Sequence, residues 1–254
     1  MLNYRDFVFP LNVYAHVLCL NYGGFEYLHY GMFEPGEDNV RRAQEQASRM
    51  LFARLPTAPV RILEVGIGVG TTLSRLVAAG HQAIGITPDT NQVSYAKQIH
   101  GASLPAVCTK LEDYTEGAFD LLVFQESAQY IDTATLFRKA SDLLVEGGQV
   151  LIMDEMTLRS SDGPGLPSRI DYLTQAQLNG FVVLENLDIS ALASPTNTHI
   201  FNAVTQHRDR LVDELNLPPL QIDLLLDSAR LYDEKYRDGR YGYGLIHVQK
   251  KPLN

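Results

Sequence analysis

Cysteine is scarce in this chain. Only Cys19 and Cys108 occur in 254 residues, far apart and without metal-ligand spacing. A disulfide scaffold is disfavoured at this size, and a reducing, cytoplasmic setting is expected. Basic runs are missing as well. Arg41-Arg42 and Lys250-Lys251 are isolated pairs, and the net charge is −9. No nucleic-acid or anionic-membrane partner is therefore expected. No stretch is long and apolar enough to span a bilayer; Phe7 to Leu20 comes nearest, but Pro10, Asn12 and His16 interrupt it. Met1 to Asp6 lacks the charged start of a secretory leader. Repeats and low-complexity tracts are absent.

With 45% hydrophobic residues, the chain can build one large α/β domain with additions, or at most two small domains. Its most informative stretch is Val60-Arg61-Ile62-Leu63-Glu64-Val65-Gly66-Ile67-Gly68-Val69-Gly70-Thr71-Thr72. Ile62 to Val65 reads as a buried parallel strand. Three glycines follow at alternate positions, and Leu73, Leu76 and Val77 then have the spacing of one helix face. A strand, a glycine turn and a helix open a nucleotide-binding α/β sheet. The turn lets backbone approach a ligand, and the helix start points free N–H groups at it. A dinucleotide fingerprint needs a glycine at position 71, which is Thr71, and a P-loop needs a Lys that is not there. Packing of helix on strand is the alternative use of such glycines.

The pattern Glu64-x-Gly66-x-Gly68-x-Gly70 resembles motif I of the class I, Rossmann-like methyltransferases that use S-adenosylmethionine (SAM). The resemblance implies that the turn of Gly66, Gly68 and Gly70 passes under the methionine part of SAM and that Glu64 holds its ammonium group. It also implies a last strand inserted antiparallel beside the sixth.

Along the chain, helices are expected over 13–20 and 39–55, the second amphipathic. From residue 60, strands at 60–65, 82–87, 105–109, 119–124 and 148–154 alternate with helices at 71–79, 89–99 and 132–145. The connections are long enough for right-handed crossovers, so the sheet should be mostly parallel. Gly147-Gly148 reads as a turn, Ser160 to Pro167 as a loop, 168–178 as a helix and 181–189 as a sixth strand. Two helices, Thr196 to Leu215 and Leu220 to Tyr236, flank Pro218-Pro219 before a last strand at 241–248. The expected fold is thus α/β: a Rossmann-like, seven-stranded, mostly parallel sheet with helices on both faces. An N-terminal helical lid (1–55) precedes a core (56–190), a helical cap (191–240) and the last strand (241–254).

The second strand ends Gly85-Ile86-Thr87-Pro88-Asp89-Thr90-Asn91-Gln92, with Thr87 where a dinucleotide site would carry an acidic residue. This stretch resembles tocopherol-type C-methyltransferases and cyclopropane-fatty-acid synthases. The resemblance gives Thr87 and Gln92 to the adenosine ribose, while Asp89 also reads as a helix N-cap. It places adenine beside Leu111 and Glu112, with Asp113 as second choice for the acidic contact; a solvated acidic turn is the alternative. Phe119-Asp120 followed by Leu121 to Tyr130 resembles motif IV, with Gln125, Glu126 and Ser127 facing the reacting methyl. Polar groups at a strand end are costly to bury without a use, so Glu126 either lines the site or serves a structural hydrogen bond. Leu28-His29-Tyr30-Gly31-Met32-Phe33 resembles the segment that folds over SAM in that branch, with Tyr30 on the methionine carboxylate and His29 as a possible base or a packed histidine. Aromatic faces also suit a sulfonium.

The resemblance implies methyl transfer by in-line displacement at the sulfonium methyl, to a C, N or O atom of a small, partly apolar metabolite. Catalytic candidates are Glu126, His29 and Tyr130. His199, Tyr232, Tyr236 and Tyr241 are candidates for the acceptor pocket, while His207 reads as surface. Asp154-Glu155 could hold a metal, but no third ligand is visible and none is expected. The other readings are a SAM- or adenine-ligand-binding protein, a SAM-assisted enzyme that does not methylate, and an NAD oxidoreductase, the last disfavoured by Thr71 and Thr87. A monomer or homodimer is expected.

Overall fold

The computed structural model describes residues 3–159 and 165–252. Most of the expected Ser160 to Pro167 loop, residues 160–164, lies outside the described residues. Seven strands form one sheet in the order β3-β2-β1-β4-β5-β7-β6. They are β1 (Arg61–Val65), β2 (Gln82–Thr87), β3 (Ala106–Cys108), β4 (Phe119–Gln125), β5 (Leu144–Thr157), β6 (Phe181–Asp188) and β7 (Tyr241–Lys250). β1 to β5 pair in parallel, and β7 enters antiparallel between β5 and β6. The chain order reverses direction across the sheet at β1 and β4, which makes their carboxyl ends the natural crevice.

The sheet is buried on both faces, which is why its central strands read as apolar runs rather than alternations. On one face, Leu63, Leu122, Phe124, Val150 and Ile152 pack under α5 (Thr133–Leu143) and α6 (Arg169–Leu178), with Phe137 and Tyr172. On the other, Ile62, Leu121, Val123 and Leu151 meet Ala47 and Leu51 of α2 (Val40–Phe52) and Leu73 and Leu76 of α3 (Thr71–Ala78). α4 (Thr90–His100) lies beyond β2 and is N-capped by Asp89. Gly147-Gly148 is not a turn before β5. The strand already starts at Leu144, and the glycines sit in an irregularity where pairing jumps from Leu144 opposite Phe119 to Gln149 opposite Leu121. Gly147 takes φ 74° there.

A second layer stands over the crevice. α1 (Leu11–Tyr22) packs Val13 and Val17 against Val204, Leu211, Ile222 and Leu225 from α8 (Pro195–Gln206), α9 (Arg208–Leu215) and α10 (Pro219–Arg237). The single helix expected over 196–215 is two, preceded by the short α7 (Ser190–Ala193). His207 leaves helical geometry (φ −106°, ψ 14°) between them, and its Nε2 meets Asn21 Oδ1 of α1 at 2.7 Å. Among the described residues no helix is long and apolar enough to cross a membrane.

Candidate functional site

β1, β2 and β4 end side by side beneath the helical layer, and a cavity of about 1040 Å³ occupies the space between. The turn after β1 forms part of its floor. Gly66, Gly68 and Gly70 all have positive φ (81°, 51° and 79°), a region that costs other residues energy. Their surroundings differ. A Cβ on Gly66 would lie 2.3 Å from Cβ of Ser127, and one on Gly70 would lie 2.7 Å from Cβ of Ala96. A Cβ on Gly68 would meet nothing within 4 Å. Gly66 and Gly70 therefore serve close packing of the turn on the end of β4 and on α4, as the packing reading of the motif anticipated. Gly68 faces open space in the cavity, and Gly70 does not line it.

Around this turn lie polar atoms that the protein leaves unsatisfied. Glu64 is buried, with Oε2 lacking a partner, and burial pushes its carboxyl up to about 8. Gln125 accepts from Thr72 Oγ1 at 3.4 Å while its Nε2 has no partner. Buried polar atoms are usually paired, so unpaired ones at a cavity wall mark where a ligand completes the set. At the tip of β2, Thr87 Oγ1 donates to Gln92 Oε1 at 2.9 Å, and both side chains are buried. Asp89 does cap α4, accepting from the N–H groups of Asn91 (2.8 Å) and Gln92 (3.4 Å). It also lines the cavity and keeps Oδ2 unpartnered. Leu111, buried, and Glu112, exposed, line the next stretch of wall; Asp113 does not.

Beyond the turn the wall becomes acidic and phenolic. Glu126 follows β4 with φ 58°, uncommon for a non-glycine residue and a form of strain that concentrates at functional sites. Its N–H donates to the Met153 carbonyl at 2.9 Å, and its Oε1 accepts from the Tyr30 N–H and from Tyr243 OH at 2.7 Å. Burial outweighs these bonds and holds the carboxyl well above the ordinary range. Glu155 accepts from Tyr236 OH at 2.8 Å, and burial raises it to about 7. Asp154 lies behind, accepting from the N–H groups of Gln129 and Glu155, and burial raises it to about 8. Tyr130 is 79% exposed, onto the cavity it lines. Desolvation there, followed by the charges of Asp154, Glu126 and Glu155, pushes its phenol up to about 12. It is a donor at neutral pH, not a base.

His29 lines the cavity and donates from Nδ1 to the Tyr30 carbonyl at 2.8 Å, leaving Nε2 buried and unpartnered. Burial lowers its pKa to about 4. What Nε2 offers is a neutral lone pair, a weak proton acceptor. Tyr30 OH donates to Asn197 Oδ1 at 2.7 Å, and the Gly31 N–H donates to Thr196 Oγ1 at 3.1 Å, which ties the 29–31 segment to α8. His199 stacks on Phe33 at 4.9 Å and lines the cavity, as does Tyr232. Tyr236 and Tyr241 do not line it. Tyr236 turns its hydroxyl onto Glu155, and Tyr241 is covered by Lys235, which donates to its hydroxyl at 2.9 Å.

Sequence reasoning missed two participants, Tyr14 and Asn197. Tyr14, from α1, lines the cavity, and burial followed by the Glu155 charge raises its phenol. Asn197 receives Tyr30, and Tyr243 holds Glu126 from β7. A tyrosine within a largely apolar helix was the available signal for Tyr14. None pointed to Asn197.

Residues 63–152 match a family model described as a methyltransferase domain. The chain has a Rossmann-like methyltransferase fold. Solved structures extend the likeness beyond this domain to nearly the whole chain. The [4+2]-cyclase SpnF is 20% identical with a TM-score of 0.78, over 94% of this chain and 92% of that one. The cyclopropane synthase MmaA2 from Mycobacterium tuberculosis is 15% identical with a TM-score of 0.77, over 87% and 89%. The geranyl diphosphate C-methyltransferase from Streptomyces coelicolor A3(2) is 17% identical with a TM-score of 0.68, over 87% and 91%. At these identities the likeness is one of fold. No curated protein sequence matches.

Proposed function

We propose that the protein binds SAM on the β1 turn and transfers its methyl group to a small, partly apolar metabolite held under the helical layer. The observation that carries this reading is the open Gly68 beside two unpartnered buried groups, Glu64 Oε2 and Gln125 Nε2, all on one cavity. A cationic ammonium at Glu64 would return that carboxylate to its ionised form. Thr87, Gln92 and Asp89 offer hydroxyl, amide and carboxylate groups where the ribose would lie, and Leu111 and Glu112 flank the adenine. Tyr30 and Asn197 close over the methionine end. The cavity is at the upper end of the range for a single small ligand, about 300–1,000 Å³, so cofactor and acceptor fit together.

SAM supplies an already activated methyl, so the residues chiefly align nucleophile, carbon and sulfur. Glu126 and Glu155 line the same cavity and would take up a proton if the nucleophile must lose one. A second reading is SAM binding without methyl transfer, favoured by the fold likeness to a cyclase. Calorimetric titration with SAM, S-adenosylhomocysteine and NAD tests the cofactor. Binding of both sulfur compounds without NAD is expected, and NAD binding alone would overturn the reading. Transfer of labelled methyl from SAM to an acceptor separates the two readings.

A further inference from the structure

The charge on the cavity wall is one-sided. Its lining carries six carboxylates, from Glu26, Glu64, Asp89, Glu112, Glu126 and Glu155, and among the described residues Lys110 is its one Lys or Arg. Lys110 lies beside Glu112, at the adenine end. The acceptor end therefore holds Glu126 and Glu155 and no Lys or Arg. Their partners are hydroxyls and a backbone N–H, from Tyr243, Tyr236 and Tyr30. Phenol rings of Tyr14, Tyr130 and Tyr232 line the same end. Asn197, 6% exposed, lines it too and keeps Nδ2 buried without a partner. An unpaired buried amide in the wall of an open chamber indicates that a polar ligand completes it.

Apolar side chains also line this end, among polar ones such as Asn202, Gln206, Gln221 and Ser228. Phe9, Val17, Ile200 and Leu225 line the inner wall, and Val8 and Leu224, 64% and 59% exposed, stand where the lining reaches solvent. Exposed apolar side chains on a cavity rim suit a ligand whose hydrocarbon part passes between them.

We infer that the acceptor is an amphiphilic amine, its nitrogen held between Glu126 and Glu155 and its hydrocarbon body lying along α1 and α10. This rests on the SAM reading above. An anionic acceptor would find no Lys or Arg to receive it there, and each carboxylate that ionises would repel it, a like-charge contact that disfavours a partner. The phenol faces attract a cation in the same place. For transfer, the ammonium gives one proton to Glu126. The freed nitrogen lone pair then forms the N–C bond as the C–S bond breaks, and that electron pair stays on sulfur as S-adenosylhomocysteine. The methylated product leaves as the ammonium, and the protonated carboxyl releases its proton to solvent.

The test compares 4-phenylbutylamine, 4-phenylbutanol and 4-phenylbutyrate by calorimetry, with and without S-adenosylhomocysteine. The amine should bind at least tenfold more tightly than the alcohol, and the carboxylate weakest of all. Glu155→Gln and Glu126→Gln should each cut the amine preference about tenfold while leaving S-adenosylhomocysteine affinity within threefold, which also reports that the variants fold. Equal binding of amine and alcohol, tighter binding of the carboxylate, or no binding of any probe to the protein saturated with S-adenosylhomocysteine overturns the inference. Failure of S-adenosylhomocysteine to bind overturns the SAM reading on which it rests. The wild-type probe series without cofactor still reads the charge preference, so the two failures are distinguishable.

Discussion

Tyr243 OH donates to Glu126 Oε1 at 2.7 Å, across 117 residues of sequence. The bond joins the end of β4 to the one strand that runs against the others. It also explains how a carboxylate with φ 58° keeps one orientation: backbone, tyrosine hydroxyl and the Tyr30 N–H all constrain it. A group held in this way suits the role proposed for Glu126, because alignment is the main demand of methyl transfer.

Glu126→Gln keeps the shape and removes the charge and the proton-accepting capacity. We expect kcat to fall about 100-fold, the lower end for loss of a general base, with little change in SAM affinity. Steady-state kinetics combined with calorimetry checks this. An unchanged kcat would make Glu126 a purely structural residue.

The three glycines should separate by mechanism. Gly66→Ala places a Cβ 2.3 Å from Ser127 Cβ at φ 81°. Overpacking and backbone strain together should cost about 3 kcal/mol. Gly68→Ala meets open space, so only the backbone term of about 1 kcal/mol applies, but SAM affinity should fall at least tenfold. Urea unfolding and calorimetry on both variants read the contrast. Equal destabilisation with equal binding loss would erase the distinction.

Stability should fall as pH rises from about 6.5 to 8. Glu64 and Asp154 are raised to about 8 and Glu155 to about 7 by burial. In the folded state each holds its proton where the unfolded chain has lost it, so their contribution is present below the unfolded value and is lost as pH passes the folded one. His29, lowered to about 4, acts oppositely: its contribution is lost as pH falls below its unfolded value, near 6.5. Above 6.5 only the carboxylates act. Thermal melts across this range should show Tm decreasing. SAM should flatten the slope by bringing a cation to Glu64, and Glu64→Gln should flatten it without ligand.

Tyr30→Phe removes the hydroxyl that reaches Asn197 on α8 at 2.7 Å. A neutral hydrogen bond of this kind is worth about 1 kcal/mol. We expect a loss of that size in denaturant unfolding, together with a severalfold loss of SAM affinity, since the 29–31 segment is then tied to the helical layer mainly through Thr196 and Gly31.

Much of this site was legible in one dimension. The strand, glycine turn and helix at 60–78 are local, and so are the ends of β2 and β4, where Thr87 and Gln125 fall within a few residues of an apolar run. Local signals survive because strand burial and turn geometry depend on neighbouring residues. The break at His207 was not legible, because its cause includes Asn21 on another helix. Nor was the placement of Tyr236 and Tyr241 away from the cavity, since either tyrosine reads alike until a partner such as Glu155 or Lys235 is located.

The amino-acid sequence by itself determined the α/β alternation, the glycine turn and the Thr87–Gln92 stretch. These follow from hydrophobic period, backbone permissiveness and residue type, all properties of short segments. Tertiary structure alone decided that Gly66 and Gly70 are packing glycines while Gly68 is open. It also decided that α1 joins α8 to α10 as one layer, and that Glu126 is gripped by Tyr30 and Tyr243. Each of these is a meeting of residues far apart along the chain. Which side chains share a cavity is set by how strands and helices cross, not by the spacing of residues within them.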